Sequence, residues 1–151
     1  MIVYEFLTAL FSQNDLEDIN NLLPQLSENC KPATRETLCK AIDSSRVLVA
    51  RDYAIRRPDG TAEIIGMVCL ALASVVNGLT GSVEGLVADG EYRGLGIGKA
   101  LMLGIITEAR RLGFTMIDLT SKPDRVAANK LYLSLGFKER ETNCYRLELN
   151  N

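Results

Sequence analysis

The chain has 151 residues, a formal net charge of −2, 47% apolar and 24% charged residues, and no histidine. That length and apolar content suit a single domain, residues 1–151, with one core. The charge is near neutral and no basic stripe points to nucleic acid. The lack of any apolar run of about 18 residues excludes a membrane span, and the lack of histidine excludes a Ser-His-Asp triad, a Cys-His dyad and a histidine general base. The first residues carry Glu5 and neither a basic start nor a small-residue cleavage site, so no signal peptide is read and a cytoplasmic location is expected. Cys30, Cys39, Cys69 and Cys144 form no CxxC pair. They read as free thiols, and no metal site is expected.

Residues 2–8 are apolar and β-rich, a first strand. Asn14 with Glu17 three residues on resembles a capping box, and Leu16, Ile19, Leu22 and Leu23 follow at helical spacing up to Pro24. A second short helix is expected over residues 35–42 and a strand over 46–53. Asp59-Gly60 marks a hairpin, with its return strand over 64–73, a loop over 76–80 and a further strand over 81–88. Ile97, Leu101, Ile105, Ala109 and Leu112 share one face of the clearest helix, 97–112, and Gly113-Phe114 is its stop signal. A short strand at 116–120, a helix at 126–135 stopped by Gly136-Phe137, and two short strands at 138–142 and 145–149 complete the chain. Hairpins come first and a β-α-β unit in the middle. The fold class is therefore mixed α/β of the α+β kind, not a doubly wound parallel sheet.

One segment points to a ligand. Between a strand and the clearest helix stands Arg93-Gly94-Leu95-Gly96-Ile97-Gly98-Lys99. Glycines let backbone N–H groups approach an anion closely, and the first helical turn leaves donors without internal partners. Arg93 adds a cation with forked donors. A phosphate or pyrophosphate fits this arrangement; a glycine-rich turn with no ligand is the alternative. A Walker loop is excluded, because Arg93 stands where its first glycine belongs and Ala100 follows Lys99. The dinucleotide fingerprint fails in both glycine registers, which lead to Lys99 or Leu101.

The segment from Arg93 to Leu101 resembles the R/Q-x-x-G-x-G/A acetyl-CoA signature of the GNAT N-acetyltransferases. Residues 83–88 resemble that family's fourth strand, and Ala128-Asn129-Lys130-Leu131-Tyr132 through Leu135-Gly136-Phe137 resembles its A-x-x-L-Y-x-x-x-G-F motif. The motifs cover about residues 81–137. The resemblance implies a mostly antiparallel central sheet with flanking helices, whose fourth and fifth strands splay apart. It also implies acetyl-CoA as acyl donor. The backbone edge of Leu86, Val87 and Ala88 would pair with the pantetheine arm, the amides of Arg93, Gly94, Leu95, Gly96, Ile97 and Gly98 would hold the pyrophosphate, and Lys99 is a further candidate cofactor contact.

The implied reaction is direct transfer of the acetyl group to an amine, with a small-molecule acceptor favoured over a protein and with a homodimer common among relatives. A non-catalytic acyl-CoA-binding or sensing module on the same fold is the alternative. Tyr132 matches the position where many relatives place a tyrosine near the thioester sulfur; core packing is its other reading. Glu84 is the best candidate base, acting through water or on an amine that arrives already neutral, and reads equally as a cross-strand ion-pair residue. Many relatives carry an acid after this glutamate, where this chain has Gly85. Arg125 stands where relatives often have asparagine; Arg125 and Asn129 are candidate cofactor contacts or parts of a solvated helix face. Thr120 and Ser121 face the site or cap the following turn.

Overall fold

Sequence periodicity becomes a layered arrangement because nearly every long element has one or two faces to bury. The structure, a computed structural model, describes residues 1–149. It divides into two units, Met1–Leu119 and Thr120–Asn151. The first holds β1 (Ile2–Phe6), α1 (Gln13–Leu26), α2 (Arg35–Ser44), β2 (Ser45–Arg56), β3 (Ala62–Val75), β4 (Gly78–Ala88), α3 (Ile97–Arg111) and β5 (Ile117–Asp118). The strands lie in chain order in one sheet. All neighbours are antiparallel except β4 and β5, which run parallel. This is the mixed, mostly antiparallel sheet with flanking helices that the sequence predicts.

One core layer forms where Leu16, Ile19 and Leu22 of α1 and Leu38 of α2 meet Val47, Val49, Ile64, Met67 and Val87 of the sheet. The apolar stripe of α3 is equally deep: Ile97, Leu101, Met102 and Ile105 are at most 1% exposed. Each such side chain contributes about 1.5–3 kcal/mol by leaving water. Gly66 marks where α3 crosses β3, since a Cβ there would lie 3.1 Å from Ile97 Cγ2 and 3.3 Å from Leu101 Cδ1.

Charge is buried only where it is paired. Arg51 donates from Nη1 to Asp15 Oδ1 at 2.6 Å and to Ala62 O at 3.0 Å, and from Nε to Glu5 Oε1 at 2.6 Å. Arg57 forks onto Asp18 at 2.5 and 3.0 Å, and Asp18 Oδ2 also accepts Ile64 N–H. These pairs tie α1 to β1, β2 and the hairpin that joins β2 to β3.

Several boundaries differ from the sequence reading. The cap of α1 is Ser12, not Asn14: Ser12 Oγ accepts Asp15 N–H at 3.1 Å, and Asp15 Oδ2 accepts Ser12 N–H at 2.8 Å. Asn14 instead reaches Asp59, a partner 45 residues away that no local pattern could name. The loop expected at 76–80 is a two-residue turn, because Val75 already pairs with Gly78. β5 keeps only two residues, Ile117 and Asp118.

In the second unit α4 spans Val126–Ser134. Its end and that of α3 follow the predicted Gly-Phe stop. Gly113 and Gly136 take φ of 83° and 92°. Phe114 N–H bonds Ala109 O at 3.0 Å and Phe137 N–H bonds Tyr132 O at 3.1 Å, the Schellman pattern. The two strands expected at 138–142 and 145–149 are not formed; these residues are irregular and exposed. A strand exists only where another backbone answers its N–H and C=O groups, and alternating charge marks solvation without supplying that partner. Thr142 N–H bonds Arg140 O at 3.1 Å, a local turn. Among the described residues no helix is long and apolar enough to cross a membrane.

Candidate active site

β4 begins as an ordinary sheet strand and ends as something else. Its parallel pairing with β5 is confined to Gly81 with Ile117 and Ser82 with Asp118. Beyond Ser82, among the described residues, β3 is its remaining neighbour. Between the pairs Cys69–Glu84 and Met67–Val87, three steps of β4 oppose two of β3, a β-bulge. Gly85 sits in it at φ 63°, a left-handed conformation that a side chain would strain. The absence of an acid after Glu84 thus has a backbone explanation.

The bulge sits beside two predicted site residues. Glu84 is exposed and accepts a hydrogen bond from Ser82 Oγ at 2.7 Å. Opposite it, burial pushes the Cys69 thiol pKa up, its bond to Ser45 pulls down, and the Glu84 charge raises it further. The Val87 side chain belongs to the core, while Leu86 and Ala88 are half-buried. What this stretch can offer a ligand is therefore its backbone edge.

After β4 the chain makes a 3-10 turn over Gly90–Tyr92 and enters the glycine loop. Three contacts fasten that turn. Asp89 N–H bonds Ile65 O at 2.8 Å, the Gln25 amide meets Asp89 and Gly90, and Tyr92 OH donates to Asp52 Oδ2 at 3.0 Å. Burial, then the bond to Asp52 and its charge, push the Tyr92 phenol up to about 12, so it stays a donor. Asp52 is held below the usual carboxylate range, chiefly by Ala54 N–H.

Gly94 and Gly96 then take φ of 79° and 78°, and Gly96 is the cap residue of α3. It has no side chain to close the helix start, and the first turn carries no acid. Among the described residues, the N–H groups of Gly94, Leu95, Gly96, Ile97, Gly98 and Lys99 meet no acceptor; Ala100 N–H is the first that does, on Gly96 O at 3.0 Å. A Cβ built on Gly94 or Gly96 would find nothing within 4 Å. The buried Ile97 side chain anchors the helix and leaves only its amide to a ligand, while Arg93 and Lys99 are exposed beside it. Six donors, a helix dipole and two cations around open space suit a diphosphate.

In the second unit Arg125, Asn129 and Tyr132 fall on one side of α4 by their spacing of four and three. Arg125 occupies the helix's cap position. Asn129 Nδ2 is engaged, donating to Lys122 O at 2.9 Å. Tyr132 is 7% exposed, with its ring edge-on to Phe137 at 6.0 Å. Burial raises its phenol pKa, and the Arg125 charge pulls it back in part. Ser121 Oγ is buried without a hydrogen-bond partner among the described residues.

A family model described as the acetyltransferase (GNAT) family matches residues 16–137. The chain belongs to the acetyltransferase (GNAT) family. A curated relative, an uncharacterized N-acetyltransferase, ycf52, of Pyropia yezoensis, is 27% identical over 97 residues, 64% of this chain and 51% of that protein. The chain thus spans about half the length of that relative. Among solved structures, a Trypanosoma brucei acetyltransferase superposes with a TM-score of 0.75 at 26% identity, covering 99% of this chain and 100% of the other. The NatC complex bound to Gag peptide and CoA gives 0.75 at 23% identity, covering 93% and 86%, and speaks for the fold alone.

Three features around the glycine loop and β4 escaped the sequence reading. The bulge had a signal, a glycine inside a strand pattern. Gln25 and Asp52 had none, because their partners lie 65 and 40 positions away.

Proposed function

We propose that this GNAT chain is an N-acetyltransferase that moves an acetyl group from acetyl-CoA directly to an amine. The observation that carries this reading is the row of unanswered amides from Gly94 to Lys99 beneath open space. Acetyl-CoA, as cosubstrate, supplies the thioester whose carbonyl the amine attacks. Gly94 to Lys99 would bind its diphosphate, with Arg93 adding charge. The free edge of β4 at Leu86, Val87 and Ala88 would hold the pantetheine arm as an added strand. The family match runs through both units, in keeping with one acetyltransferase domain.

Glu84 is assigned the proton-accepting role. Carboxylates are far weaker bases than alkyl amines, so Glu84 would act through water or on an amine that arrives neutral. Tyr132 is assigned to the departing sulfur. Its phenol starts near 10, above a thiol's roughly 8.5, and burial raises it further. Full proton donation is therefore uphill, and a hydrogen bond from the phenol is the stabilisation this residue can give. Arg125 and Asn129 are assigned to cofactor contact, Asn129 through the carbonyl end of its amide.

The acceptor is assigned to the small amines rather than to proteins. Isothermal titration should show acetyl-CoA binding, and a CoA-release assay over amines and amine-bearing peptides should show turnover with a small amine. No binding would overturn the reading. Binding without turnover on any acceptor would leave a CoA-binding module.

A further inference from the structure

Gln25 lies in the last turn of α1, 65 positions before the turn that leads into the glycine loop. Its side-chain amide meets that turn with both ends. Nε2 donates to Asp89 Oδ2 at 2.8 Å, and Oε1 accepts Gly90 N–H at 2.9 Å. The other carboxylate oxygen of Asp89 accepts Glu91 N–H at 2.9 Å. A primary amide answers both demands at once. A carboxylate offers no donor, an ammonium no acceptor, and an apolar group neither.

The two bonds are exposed to solvent, so they add little to the stability of the fold. Their position gives them another use. Four residues after Gly90 the row of free amides begins. Such a cradle binds well only if its donors already point at the ligand; a loose approach must be ordered when the ligand arrives, at the expense of affinity.

We infer that Gln25 is a positioning residue for the cofactor, holding the Asp89–Gly90 turn so that the amides of Gly94 to Lys99 are aimed before the diphosphate binds. The inference rests on the acetyl-CoA reading above. It assigns to α1, which carries no part of the glycine motif, a role in donor affinity.

The test is titration of CoA into the wild-type chain, Gln25→Ala, Gln25→Glu, Asp89→Asn and the double variant Gln25→Glu/Asp89→Asn, with thermal unfolding of each. Gln25→Glu keeps an acceptor for Gly90 but sets a second carboxylate against Asp89. Asp89→Asn sets an amide donor against the Gln25 donor. Together the two changes rejoin donor and acceptor. Each single variant is expected to bind CoA roughly fivefold more weakly, with Tm within about 2 °C of wild type. The double variant should recover wild-type affinity to within about twofold. In turnover, KM for acetyl-CoA should rise while kcat and the amine KM hold. Wild-type affinity in Gln25→Ala, or a double variant no tighter than the singles combined, would overturn the role of Gln25 alone. A wild-type chain that binds no CoA would remove the inference together with the acetyl-CoA reading.

Discussion

Helices α1 and α3 begin in opposite ways. The start of α1 is closed by its own side chains, with Ser12 and Asp15 exchanging bonds with each other's backbone N–H groups, and α2 repeats the device with Thr34 and Thr37. The start of α3 has Gly96, no cap oxygen and no acid. A serine oxygen and a phosphate oxygen are alternative acceptors for the same orphan donors. Closing the helix from within stabilises the fold, and leaving it open reserves the donors for a ligand. Asp15 adds to the contrast. It faces inward to Arg51, whereas the donors of α3 face open space.

The contrast can be broken from either side. The largest effect is expected from Asp15→Ala, which strips the capping box and leaves Arg51 without its buried partner. The loss should be about 3 kcal/mol by urea denaturation, with CoA affinity of the folded protein unchanged. The same carboxylate should shape the acid limb of stability. Burial pushes its pKa up, but the Arg51 and Ser12 contacts outweigh this and hold it below the usual range. Its contribution is therefore complete above the ordinary carboxylate pKa of about 4 and lost as pH falls through the lower folded value. Urea midpoints measured from about pH 6 to about pH 3 should fall less steeply in Asp15→Asn than in wild type.

Next in size is Gly96→Glu, which places a carboxylate in the cradle. CoA affinity should drop at least about a hundredfold, some 2.7 kcal/mol, by calorimetry. Ser12→Ala should cost about 1 kcal/mol of stability and leave CoA binding alone, the converse result. Of the two cradle changes, Gly94→Ala should have the smaller effect on CoA binding. Nothing lies near the added methyl, so its cost is the left-handed backbone, about 1 kcal/mol or slightly more. Its CoA affinity should fall less than that of Gly96→Glu. Equal CoA binding in Gly96→Glu and wild type would erase the distinction between the two helix starts.

Local chemistry made much of this legible. The Gly-Phe stops after α3 and α4, the Asp59-Gly60 hairpin and the glycine loop each depend on backbone preferences that neighbouring residues decide, and each lies where the pattern puts it. Boundaries set by distant partners were not legible. Asn14 is drawn to a partner 45 positions away, and the segment after Phe137 pairs with no strand among the described residues, whereas the Ser12–Asp15 capping box and the Val75–Gly78 turn are local patterns that the sequence reading passed over. Glu84 was visible as a carboxylate, but not the Ser82 hydroxyl upon it; the bulge beside it was signalled only by Gly85 inside the strand pattern.

By itself the sequence determined the alternation of elements, the glycines able to turn left-handed and the residues able to meet an anion, because these are properties of short stretches of chain. Only the tertiary structure decided that, among the described residues, the amides from Gly94 to Lys99 meet no acceptor and β4 has no second neighbour beyond Ser82, and that Gln25 of α1 reaches the turn before the glycine loop. Whether a donor is satisfied depends on every group the fold brings within about 3 Å of it, and chain order alone does not carry that information.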